Sequence, residues 1–276
     1  MKLSYSDYKT YLECPRLYKL RRDQVPPPEK ESKYFALYGL LVERFFKRYT
    51  NEIVKRGQQL SDAQVRETLQ SIWKYVLDSN YVNWNEPWVK STSDQIFDMA
   101  YADVLENMRK FTFWKDARSE VSFSVQLKKS GDLITCRMDF VHEPKDGPVE
   151  ILDGKGKMKL DADVDLDQLY FYALVYLLNR RRLPDKIGFL YYRFKLIKYI
   201  DFDSAAILAF KDKLALVKQA MKKDVVFEAR VGISKQCKWC PYKCSCDAYT
   251  RKKQELADKR ETLSIDSSEG AQDLGF

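Results

Sequence analysis

Along this chain, apolar positions recur first at helical spacing and then switch to alternation. Leu3, Tyr8, Tyr11, Leu12 and Tyr18 share one face of a helix predicted over 3–22, which Ser4 or Ser6 can cap and Pro15 must break or kink. Pro26-Pro27-Pro28 then reads as a stiff extended connector. Residues 33–56 predict a long helix, 61–77 a second with Ser61 as its N-cap, and 93–115 a third rich in Trp and Phe. From here the period changes. Val121, Phe123, Val125 and Leu127 alternate with polar residues, as a half-buried strand does. Further strands follow over 133–141 and 149–155, separated by the turn formers Lys145-Asp146-Gly147-Pro148. A helix over 165–181 ends before Pro184, strands follow over 187–194 and 196–200, and a helix follows over 204–223. Helices, then three strands, then a helix and more strands describe an α/β core, a mixed sheet flanked by helices, with an N-terminal helical insertion over 51–118.

Composition narrows the chemistry. At 276 residues, with 45% hydrophobic and 32% charged positions, the chain has the make-up of a folded protein with a sizeable core. No apolar run approaches the ~20 residues that span a bilayer, and the first residues lack the apolar stretch of a signal peptide. The reading is a cytoplasmic protein without membrane partners. There, the 6 cysteines point to metal chemistry before disulfides. A net charge of +8 suits a polyanionic partner. With His142 the single histidine, Ser-His-Asp and Cys-His catalysis and multi-histidine zinc sites are excluded.

The carboxylates on the predicted strands carry the chemistry. Asp139 lies in the second strand, and Asp153 and Lys155 at the end of the third, two residues apart and so on one face. An acid beside an ammonium at a strand end can hold a divalent cation that activates water, while the lysine stabilises developing charge. Gly154 leaves its carbonyl open as one more oxygen ligand, which suits Mg²⁺ or Mn²⁺. His142 sits an odd number of positions from Asp139 and faces away. Taken alone, Asp153-Gly154-Lys155 is also a common turn; the pairing with Asp139 makes the pattern specific.

Asp139, a hairpin, Asp153-x-Lys155, and then a helix bearing Gln168 and Tyr172 together resemble the RecB-like branch of the PD-(D/E)XK nucleases, where a Gln-x-x-x-Tyr pattern follows the catalytic lysine. Spacing of i,i+4 puts Gln168 and Tyr172 on one helical face. The resemblance extends to the N-terminus, where Cys14-Pro15-Arg16-Leu17-Tyr18 matches the family's Cys-Pro-x-x-Tyr. The family's Gly-x-x-x-His becomes Gly39-Leu40-Leu41-Val42-Glu43, so Glu43 stands where the metal-binding histidine would be. The family's glycine before the strand aspartate is also missing, with Cys136 there instead. The resemblance implies a restriction-endonuclease-like core. It also implies a cation held by Glu43, Asp139, Asp153 and the Gly154 carbonyl, charge stabilisation by Lys155, and a DNA path shaped by Gln168 and Tyr172. The activity implied is exonucleolytic cleavage at single-stranded DNA ends in recombination, repair or CRISPR adaptation. With no helicase P-loop in the chain, unwinding would fall to a helicase or recombination partner.

Cys237, Cys240 and Cys246 supply three thiolates, one short of a tetrahedral site. In the iron–sulfur nucleases that the chain resembles, of the AddB type and the CRISPR-associated type, an N-terminal cysteine joins such a trio around a 4Fe–4S cluster. The resemblance gives that place to Cys14. A local zinc knuckle of Cys237, Cys240, Cys244 and Cys246 is the other reading of the spacing. On either reading, 1–260 forms a single nuclease domain, followed by a polar tail over 261–276 that is expected to be disordered. If the carboxylate site is degenerate, the protein is a DNA-binding adaptor.

Overall fold

The alternating run over 117–126 and the two runs after it form three adjacent strands of a six-stranded mixed sheet. The structure is a computed structural model describing residues 1–28, 32–57, 59–87, 89–156, 160, 165–231 and 236–269. β2 (Ala117–Gln126) and β3 (Leu133–His142) pair antiparallel, Ala117 opposite His142 and Gln126 opposite Leu133. On the other edge of β3, β4 (Glu150–Lys155) sets Leu152 opposite Phe140. β5 (Lys186–Tyr191) runs parallel to β4, a connection that needs a crossover element. Helix α6 (Leu166–Arg180) provides it. β6 (Leu196–Ile200) closes the sheet antiparallel to β5. A two-residue strand, β1 (Lys2–Leu3), pairs parallel to the start of β3 and takes the first residue of the segment predicted as helix. Two residues carry no readable period.

The helix predicted over 3–22 divides as Pro15 requires, into α1 (Tyr5–Glu13) and α2 (Pro15–Arg22), with Cys14 between them as an extended N-cap. The long helix over 33–56 keeps its course but changes type: α3 (Leu37–Arg48) passes into π-helical Tyr49–Ile53 and a 3₁₀ turn at Val54–Arg56. Thr50 Oγ1 back-bonds to the Phe46 carbonyl at 2.9 Å, a local competition that loosens the helical ladder. Ser61 and Thr92 cap α4 (Asp62–Ser79) and α5 (Ser93–Lys110) with reciprocal bonds to Gln64 and Gln95. Strand 187–194 is shorter than predicted, because Tyr192–Phe194 turns as a 3₁₀ element and Lys195 takes a left-handed φ of 48°.

Because successive strand residues alternate, Phe140 and Leu152 face the α3–α5 layer while Asp139 and Asp153 do not. That layer buries Leu41, Phe45, Phe46, Trp73 and Trp114 against the sheet, Phe46 stacking on Trp114 at 4.1 Å and 9°. Each such side chain contributes about 1.5–3 kcal/mol by leaving water.

The described residues fall into two compact units, one within Met1–Tyr5 and Glu31–Leu216, the other within Ser6–Lys30 and Val217–Phe276. The first contains the whole sheet. The second draws the N-terminal helices to the C-terminal part of the chain, within the stretch read above as one domain. There Tyr11 donates to Asp224 at 2.9 Å, Arg230 to the Leu12 carbonyl at 2.6 Å and Tyr242 to the Val25 carbonyl at 2.5 Å. Rings of Tyr11, Tyr18 and Phe227 cluster between these bonds. α7 (Ser204–Lys223) leads into the unit, and the short α8 (Gln236–Trp239) precedes α9 (Asp247–Glu269). The polar tail expected over 261–276 thus begins within the span of α9, and 270–276 lie outside the described residues. Among the described residues no helix is long and apolar enough to cross a membrane.

Candidate active site

The register that sets Phe140 opposite Leu152 makes Asp139 and Asp153 the next residues along β3 and β4. The Gly154 N–H donates to Asp139 Oδ2 at 2.8 Å and ties the two strand ends together. Asp153 is 2% exposed. Its Oδ1 accepts from Gln168 Nε2 at 2.6 Å and from the Tyr172 hydroxyl at 3.2 Å, while Lys155 Nζ lies 2.5 Å from Oδ2. The Lys155 ammonium donates to Gln168 Oε1 at 3.0 Å. Gln168 therefore sits between a carboxylate and an ammonium, and only one orientation of its amide satisfies both. Lys155 meets Asp153 Oδ2 as an ion pair, and that oxygen accepts no further hydrogen bond among the described residues.

Burial and the nearby Asp153 charge hold the Asp139 carboxyl well above the usual carboxylate range, against the opposing pull of the Gly154 N–H and Lys155. Glu43, half-buried on α3, is raised too, by burial first and then by Glu120, with Arg137 opposing. Burial and Asp153 push the Tyr172 phenol upward, keeping it a neutral donor. Among the described residues no three His, Cys, Asp or Glu side chains stand close enough together to hold a metal as they are. The donor chemistry nevertheless suits a hard cation. Asp139 and Asp153 repel one another, Asp153 Oδ2 has spare lone pairs, and the Glu43 carboxyl feels the Asp153 charge. Gly154, expected as a carbonyl ligand, takes part here through its N–H. His142 lies apart from the cluster, 3.5 Å from Glu150.

Three further residues belong to this region. Glu120 falls opposite Asp139 in the β2–β3 register, interrupts the ladder with a left-handed φ of 56°, and pairs with Lys47 at 3.2 Å and Arg137 at 3.1 Å. It shares the polar parity of Ser122 and Ser124, so nothing in the alternation marks it. Gly156 passes so close to α3 that a Cβ would sit 2.7 Å from the Gly39 Cα. The one sequence signal was the repeated glycine flanking Lys155. Tyr192 lies over Gly154, where a Cβ would come 2.2 Å from its hydroxyl oxygen.

In the second unit, burial raises the Cys240 thiol, and Cys14, Cys237 and Cys246 raise it further. The four thiols share one region of this unit, but among the described residues they are not gathered closely enough to hold a metal as they are. Cys14, Cys240 and Cys246 line a cavity of about 220 Å³, together with Leu17, Leu20 and Tyr242. Cys244 is exposed, and Cys136 is buried in β3 with its thiol pushed upward.

Comparison with known proteins follows the same outline. The family model for the PD-(D/E)XK nuclease superfamily matches residues 2–247. A crystal structure of a candidate exonuclease from Eubacterium rectale superposes with a TM-score of 0.51 at 13% identity, covering 86% of this chain and 87% of its own, a likeness of fold. The structure of SSO0001 aligns over 90% of this chain and 86% of its own at 14% identity, but its TM-score of 0.38 carries no argument. No curated protein matches the sequence.

Proposed function

The chain belongs to the PD-(D/E)XK nuclease superfamily, and from that premise we propose a Mg²⁺- or Mn²⁺-dependent DNA exonuclease acting on single-stranded ends. The observation that carries the reading is the interlocked set of Asp139, Asp153, Lys155 and Gln168 at the ends of two adjacent strands. Glu43, Asp139 and Asp153 would hold the cation. When bound, the cation supplies a Lewis acid that lowers the pKa of water and neutralises the scissile phosphate. The remaining roles fall to this chain's own groups. Lys155, steered by Gln168 and Asp153, presents an ammonium to the charge that develops on the phosphate oxygens. Gln168 and Tyr172 hold Asp153 in one rotamer. Burial favours the Asp139 proton, which a bound cation would have to displace, so cation affinity should rise with pH. A net charge of +8 favours a polyanionic substrate.

Preference for single-stranded ends rests on the family resemblance in the Gln168–Tyr172 and Cys14 motifs, as does a 4Fe–4S cluster on Cys14, Cys237, Cys240 and Cys246. Cys14 lines one cavity with Cys240 and Cys246, and Cys244 is not among its lining residues, which favours that set over a local zinc knuckle. The absence of a ready-made metal cage among the described residues favours a second reading, a DNA-binding adaptor with a degenerate site. One digest separates the two. With Mn²⁺, the exonuclease consumes end-labelled linear DNA and spares circular DNA, whereas the adaptor retards both without cleaving either.

A further inference from the structure

The Tyr192 hydroxyl is unexplained by packing. The side chain is 1% exposed, its ring stacks on Phe46 at 5.6 Å and 10° and meets Phe140 edge-on, and a phenylalanine would fill the same space. Yet its hydroxyl has no hydrogen-bond partner among the described residues. A buried hydroxyl left unsatisfied costs about 1–3 kcal/mol, so one that persists calls for an explanation. The oxygen lies over Gly154, the residue between Asp153 and Lys155, where any Cβ would come 2.2 Å from it. Gly154 is also the residue whose N–H donates to Asp139 Oδ2 at 2.8 Å, so the hydroxyl and that carboxylate meet at one residue. The hydroxyl thus sits beside the Gly154–Asp139 contact without a hydrogen-bond partner among the described residues.

It is also held there firmly. Asn107 on α5 donates from Nδ2 to the Tyr192 carbonyl at 2.8 Å and to the Asp103 carbonyl at 2.6 Å. Asp103, 1% exposed, accepts from Tyr38 at 2.8 Å and pairs with Arg193 and Lys195, each at 2.8 Å. These bonds fix the turn that follows Tyr192, including the left-handed Lys195, a conformation that costs about 1–3 kcal/mol without such support.

We propose that Tyr192 is a positioning residue of the cation site, its hydroxyl a donor held in reserve for the Asp139 carboxylate when that group turns to bind a divalent cation. This rests on the nuclease reading above. A donor bonded to a ligating carboxylate fixes its orientation, and loss of such a partner typically weakens metal affinity 10–100-fold. Among the described residues the hydroxyl has no hydrogen-bond partner, so its removal should not destabilise the fold.

The test is calorimetric titration of Mn²⁺ into the full chain, with thermal melts in chelator. Tyr192→Phe should melt no lower than wild type and bind Mn²⁺ about 10–100-fold more weakly. Tyr176→Phe is the control: it loses a satisfied bond to Glu143 at 2.7 Å, so it should melt lower and bind Mn²⁺ as wild type does. Tyr192→Phe binding within twofold of wild type overturns the proposal and leaves the nuclease reading standing. A lower melting point for Tyr192→Phe in chelator also overturns it, since the hydroxyl would then be structural. Wild type that binds no Mn²⁺ overturns both readings together.

Discussion

At the scale of single residues, the site sets electrostatics against stability. Asp139 and Asp153 face one another on adjacent strands, and the raised Asp139 pKa records burial and the neighbouring charge. A carboxyl that binds its proton more tightly folded than unfolded contributes stability at low pH, which is lost as pH rises through the folded pKa. Asp139→Asn keeps an acceptor for the Gly154 N–H and removes that loss. Melts in chelator should therefore place the variant above wild type at neutral pH, the two converging near the unfolded aspartate value of about 3.9. The same variant should lose Mn²⁺ binding. Equal melting curves at neutral pH would mean that Asp139 is relieved by a neighbour unaccounted for here. Glu43 makes the companion case: Glu43→Ala should weaken Mn²⁺ binding by tenfold or more, and unchanged affinity would send the search for a third ligand to Glu120.

Among the elements, what sequence could show was governed by period. Amphipathic stripes and capping residues placed α3, α4, α5 and α6, and alternation placed β2, because each pattern repeats over many residues. Asp139, Asp153, Lys155, Gln168 and Tyr172 were legible because a strand pair and one helical turn fix their mutual spacing. Tyr192 was hidden inside a predicted strand, since its place depends on a left-handed turn and on Asp103 and Asn107, some 85–90 residues away in sequence. Glu120 was hidden by its own backbone reversal. The α5 contacts also make the helical layer answerable for the site. Asp103→Ala takes the acceptor from the buried Tyr38 hydroxyl and loosens Arg193 and Lys195, at a cost of about 1–3 kcal/mol. At roughly 2–4 °C per kcal/mol for a chain of this size, the melting point should fall by about 2–12 °C. An unchanged melting point would show that the turn stands without its latch. Gly156→Val should be comparably damaging, because the added carbon meets the Gly39 backbone and not a movable side chain.

Over the whole molecule, the second unit joins residues more than 210 positions apart through Tyr11, Arg230 and Tyr242. Loop closure on that scale costs several kcal/mol, and these bonds and rings offset part of it without any cluster. Protein purified without air should carry about four irons per chain and absorb broadly in the visible. Cys14→Ala, Cys237→Ala, Cys240→Ala and Cys246→Ala should each bleach it, with Cys244→Ala and Cys136→Ala unchanged. A colourless protein with one zinc, lost in Cys244→Ala but not in Cys14→Ala, would replace the Cys14-bound cluster with a local knuckle. Because the carboxylate site lies wholly in the other unit, bleaching should cost stability before it costs cleavage. The central claim, that the paired strand carboxylates work a cation-dependent phosphodiester cleavage, has one direct measurement: release of label from end-labelled single-stranded DNA with Mn²⁺, by wild type and by Asp153→Asn. Wild type should release label, stop when the metal is chelated, and exceed the folded variant by about a hundredfold or more. Equal release by Asp153→Asn, or none by wild type, would contradict the account.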